Sequence, residues 1–139
     1  MRKQGMAAAE NENERVRGIL EGLRRSFLAG TPQRLNAIAA SITALAREPA
    51  SRESLDRLRL HFHNLAGLAG MHGMAEVTDL GRCAERTCQR LLETGEAASE
   101  EDLDRWRTVL DRFTALFAAA SGSIAPLRSP AAMTVHWGS

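Results

Sequence analysis

Leu103, Trp106, Leu110, Phe113, Phe117 and Ala120 follow one another at steps of three and four residues, the repeat of an α-helix that buries one face. The same step recurs in four earlier stretches, each bounded by glycine, proline or a helix-capping residue, so the chain predicts an all-α fold. Composition agrees. Tyrosine is absent and aromatics are scarce, whereas Ala, Leu and Arg abound, which disfavours a sheet built from β-branched and aromatic side chains. At 139 residues the chain suits one domain with a real core.

Val16, Ile19, Leu20, Leu23 and Phe27 mark a first helix from Glu14 to Leu28, which Gly30 is expected to stop. Thr31 and Pro32 read as an N-cap and a first helical residue, opening a second helix through Leu35, Ile38, Ala39, Ile42, Leu45 and Ala46. Ser51 is expected to cap a third, with its stripe at Leu55, Leu58, Phe62, Leu65 and Ala69, closed by Gly73. A fourth, from about Met74 to Glu93, carries Val77, Leu80, Ala84, Cys88 and Leu91, and Gly95 closes it. Ser99, with Asp102 three residues on, opens the last.

Short turns make consecutive helices antiparallel neighbours, which predicts an up-and-down four-helix bundle with an additional N-terminal helix over residues 14–121. Residues 1–13 and 122–139 lack a periodic apolar face and read as flexible tails.

A formal charge of +1, with acids and bases interspersed, offers no basic stripe for nucleic acid. The apolar runs are far shorter than a membrane span, and "QGMAAAENEN" has no signal-peptide core, so a cytoplasmic location is expected. Cys83 and Cys88 lie about 140° apart around a helix and are expected as reduced, mostly structural thiols.

The third helix contains "HFHNLAGLAGMHGM", residues 61–74, in which Gly67 and Gly70 each cost roughly 0.5–1 kcal/mol of helix propensity relative to alanine. At 100° per residue His63 falls about 120° from the apolar stripe, beside Ala66, Gly67 and Gly70. An accessible imidazole next to bare backbone lets another protein reach its nitrogen. The alternative is that the glycines admit a neighbouring helix and His63 is a boundary residue. His61 and His63 lie about 200° apart and no H-x-x-x-H spacing occurs, so no metal site is expected. His61 and His72 fall near the edge of the apolar side. Lys3 is the only lysine, so there is no P-loop. Arg82, Arg86 and Arg90, like Arg105, Arg107 and Arg112, read as solvated faces.

"HNLAGLAGMHG", His63 to Gly73, resembles the histidine phosphotransfer (HPt) domain pattern, matching it at His63, Leu65, Gly67, Ala69 and Gly73. The resemblance implies a stoichiometric carrier that accepts a phosphoryl group on His63 from a receiver-domain aspartate and passes it to another receiver. Partners would be response-regulator receiver domains or a hybrid sensor histidine kinase. It implies no cofactor on this chain, with Mg²⁺ on the receiver. Ordinary imidazole titrates near pH 6.5, which leaves a nitrogen lone pair free for in-line attack at neutral pH. Arg59, Asn64, Ala66, Gly67 and Gly70 would form the partner-binding side. The family's usual lysine three residues after the histidine is Ala66 here, and Arg59, one turn before His63, is the candidate replacement cation. The competing reading is a degenerate HPt-like adaptor or inhibitor that binds a kinase or receiver without carrying phosphate.

Overall fold

A computed structural model describes residues 2–122. They form four α-helices: α1 Arg2–Arg47, α2 Arg52–Met71, α3 Ala75–Thr94 and α4 Glu100–Gly122. Each helix packs on two neighbours in the cyclic order α1, α2, α3, α4, so α1 faces α3, and α2 faces α4, across a diagonal. Ile38 and Leu45 of α1, Leu55, Leu58, Phe62 and Leu65 of α2, Leu91 of α3, and Leu103, Trp106 and Phe113 of α4 fill the space between them.

The caps lie where the sequence places them. The Ser51 hydroxyl accepts from the Ser54 N–H at 3.2 Å. Ser99 and Asp102 cap reciprocally, each backbone N–H donating to the other's side-chain oxygen at 3.0 Å. Gly73 (φ 72°) and Gly95 (φ 76°) take the left-handed conformation that ends α2 and α3. The Ala98 N–H donates to the Pro49 carbonyl at 2.9 Å, tying the α1–α2 turn to the α3–α4 connection.

α1 corrects the expected helix count. It runs through Gly30, Thr31 and Pro32 without a break. The Thr31 hydroxyl, expected as a cap, turns back to donate to the Phe27 carbonyl at 2.9 Å. Pro32 has no N–H to offer the carbonyl one turn before it. Yet Phe27, Leu28 and Thr31 before it and Leu35, Ile38, Ile42 and Leu45 after it are all buried on one continuous face. A turn at Gly30 would pull one half of that face off the core. The additional N-terminal helix is therefore the first half of α1, and residues 2–13, read as a tail, are its opening turns. Gly122 is the last residue of α4, and the rest of the expected C-terminal tail, 123–139, lies outside the described residues. Among the described residues no helix is long and apolar enough to cross a membrane.

Candidate functional site

α2 and α3 form the closest pair in the bundle, and small residues make that possible. A methyl group on Gly81 of α3 would sit 3.0 Å from the Ala66 methyl and 3.3 Å from the Phe62 carbonyl of α2, so only hydrogen fits there. The Thr78 hydroxyl donates to the Ala66 carbonyl at 2.8 Å, and the same oxygen stands 3.3 Å from where a Gly70 side chain would begin. The glycine-rich stretch thus divides. Gly70 and Gly81 serve the helix crossing, whereas a side chain on Gly67 would meet nothing within 4 Å.

His63 stands on this seam, its side chain 61% exposed. Its Nδ1 lies 2.9 Å from Oε2 of Glu85 on α3. An ionised carboxylate has only acceptors, so Nδ1 is the donor, and in the neutral ring Nε2 keeps the lone pair. Glu85 itself is mostly covered, which anchors the contact. Beside the ring lies a shallow hollow of about 420 Å³ between His63, Ala66 and Gly67 of α2 and Arg82, Glu85, Arg86 and Gln89 of α3.

The expected partner-binding side is partly redrawn by these contacts. Asn64, Gly67 and Gly70 are exposed as expected. Ala66 is not on the open surface. It is 2% exposed, pressed under α3 because Gly81 lets the helices approach so closely, and forms the floor of the hollow. Arg59, expected as the substitute cation, is absent from the hollow. Its guanidinium pairs with Asp56 at 2.9 Å. Arg82 and Arg86, read as a solvated face, are the cations that line the hollow beside His63.

Sequence spacing did not reveal Glu85, because it lies 22 residues from His63 and its role exists only once α3 folds back on α2. The one local signal is Gly81, a mid-helix glycine one turn before an acid, which marks the face of α3 that meets α2.

His72 stacks on Phe27, ring centroids 4.7 Å apart, with planes 9° from parallel. His61 is half-buried, and burial first, then the Arg57 charge, lowers its pKa. Both are structural in placement. Cys88 is buried and Cys83 exposed, so only Cys88 is a core thiol. Among the described residues no three His, Cys, Asp or Glu side chains gather as a metal site.

The four-helix bundle agrees with what comparison with known families finds. The Hpt domain model matches residues 22–116. The chain belongs to the Hpt family. It is a histidine phosphotransfer domain, a phosphoryl-carrier module of phosphorelays rather than a catalyst. Among solved structures, the CheA phosphotransferase domain from Thermotoga maritima is similar, with a TM-score of 0.68 at 20% identity over 73% of this chain and 96% of that one. At that identity the likeness speaks for the fold. No curated protein matches the chain.

Proposed function

We propose that His63 is the phosphoacceptor of this Hpt domain, taking a phosphoryl group from the aspartyl phosphate of a receiver domain and passing it to a second receiver. The observation that carries this reading is the Glu85 contact, which holds the Nδ1 proton of an exposed ring and so leaves the lone pair on Nε2. In the forward step the Nε2 lone pair forms an N–P bond as the P–O bond to the aspartate breaks, and the aspartate leaves as a carboxylate. The imidazolium charge that develops is stabilised by Glu85 through the Nδ1 proton. Reversal on a second receiver discharges the ring. Mg²⁺ belongs to the receiver, and this chain adds no cofactor of its own.

Arg82 and Arg86 supply positive charge at the hollow where the family's usual lysine position is Ala66. Guanidinium groups suit phosphate oxygens. Gly67 leaves space for the receiver's approach. The partners are receiver domains or a hybrid sensor kinase, and a cytoplasmic location fits them.

With a phosphorylated receiver and Mg²⁺, the protein acquires one acid-labile, base-stable phosphoryl group per chain. His63→Gln abolishes the label, and His61→Gln and His72→Gln retain it. ATP alone labels nothing. A receiver that binds without labelling His63 would replace this reading with that of an adaptor, and loss of the label on replacing His72 but not His63 would reassign the site.

A further inference from the structure

The crossing of α2 and α3 is built from two short ridges. Thr78, Gly81 and Glu85 lie within about 60° of arc on α3, and Gly70, Ala66 and His63 within the same arc on α2. They meet in antiparallel order: Thr78 with Gly70 and Ala66, Gly81 with Ala66 and Phe62, Glu85 with His63. The three contacts differ in what they can hold. Gly81 admits closeness but carries no group that fixes how far α3 slides along α2. Glu85 reaches His63 over a long side chain, at the open edge of the seam. Thr78 is buried, its branched side chain is stiff at χ1, and its bond to the Ala66 carbonyl is directional.

The direction of the Thr78 hydroxyl singles it out. Thr31, Thr87, Thr108 and Thr114 each turn the hydroxyl back to the carbonyl four residues before them in their own helix. The Thr78 hydroxyl instead crosses to α2, and the missing side chain of Gly70 leaves the room it occupies, 3.3 Å from where a methyl group would stand. A helical carbonyl keeps a second lone pair after its own backbone bond, so Ala66 accepts without loosening α2. The bonded carbonyl lies one turn from His63, and Glu85 lies two turns beyond Thr78, about 10 Å along α3. We infer that Thr78 is a positioning residue for the transfer: by tying α3 to the Ala66 carbonyl it sets the register in which Glu85 meets Nδ1 of His63, and so keeps the lone pair on Nε2. This rests on the reading of His63 as the phosphoacceptor.

Thr78→Val keeps the shape and removes the hydroxyl, whereas Thr78→Ser keeps the hydroxyl. Nitrogen NMR of the imidazole at about pH 8, where an ordinary ring is neutral, reads the tautomer. In the native chain Nδ1 carries the proton. Thr78→Val lets the Nε2–H form appear and slows transfer from a phosphorylated receiver about tenfold with receiver affinity unchanged, while Thr78→Ser retains the native tautomer and rate. Thr78→Ala against Thr78→Ser repeats the comparison if the valine variant does not unfold cooperatively. A residue that served stability alone would slow transfer by the same factor with or without Glu85. Here Glu85→Ala shifts the tautomer by itself, and adding Thr78→Val to it changes neither the ring nor the rate further. A native tautomer and rate in Thr78→Val, equal losses in the serine and valine variants, or an undiminished effect in the Glu85→Ala background overturns the inference. The tautomer is read without phosphate. A native chain that binds a receiver and takes no label on His63, while Thr78→Val still moves the ring, therefore overturns the phosphoacceptor reading and not the register set by Thr78.

Discussion

Gly67 and Gly81 differ in what a side chain would meet, and their substitutions separate folding from docking. Gly67 faces open space, so Gly67→Ala is expected to raise stability by about 0.5–1 kcal/mol through helix propensity, measured by denaturant unfolding. Gly67→Trp leaves the fold intact and blocks phosphoryl transfer from a receiver. Gly81→Val drives α3 off Ala66 and Phe62 and is expected to cost about 1–3 kcal/mol, with His63 and Glu85 separated as a consequence. Burial pushes the Cys88 thiol up to about 12 from its ordinary 9.0. The folded state therefore favours the neutral thiol, and the stability this contributes is complete below pH 9 and lost as pH rises from about 9 to about 12. Cys88→Ala is expected to flatten that alkaline loss while lowering stability at neutral pH. A thiol reagent modifies one cysteine, Cys83, in the native protein and both on unfolding. His63 and Gly67 were legible at this scale because helical angle alone separates them from the core. Ala66 was misplaced because the angle that sets it beside His63 says nothing of how near α3 comes.

Caps and stripes made most of the elements readable. Ser51, Gly73, Gly95 and the Ser99–Asp102 pair bound α2, α3 and α4 because each acts within its own turn. α1 was divided wrongly because Gly30, Thr31 and Pro32 carry a strong local signal for a break, and tertiary burial overrides it. The phase of the stripe held the contrary evidence: Phe27, Thr31, Leu35, Ile38, Ile42 and Leu45 keep the three-and-four step across the proline, which a turn would reset. Pro32 thus sits inside a helix that lacks one backbone hydrogen bond there. Pro32→Ala restores the donor, and after the entropy it returns to the unfolded chain it is expected to stabilise the protein by about 2 kcal/mol, seen as a higher denaturant midpoint. An unchanged or lower midpoint would show that α1 bends at Pro32 and that the break signal is structural after all.

At the scale of the molecule, short turns fixed the antiparallel ring of four helices, while the contacts across it required coordinates. Glu76 of α3 and Arg112 of α4 pair at 2.6 Å, a match that no sequence spacing announces. The hydrogen bond from Arg112, with its charge, lowers the Glu76 pKa from 4.5, so this link is complete above about pH 4.5 and is lost as pH falls through the lowered value. The ring and the first half of α1 are separable. Among the described residues the first buried side chains of α1 are Phe27 and Leu28, and Arg24 donates to the His72 carbonyl at 3.0 Å, so every described contact of α1 that closes the bundle lies after residue 23. Removing residues 1–21 is therefore expected to leave the core, the His63–Glu85 contact and transfer from a receiver unchanged. Thermal unfolding and the transfer assay on the shortened chain check this, and its collapse would mean that α1 supports the bundle from beyond its described contacts.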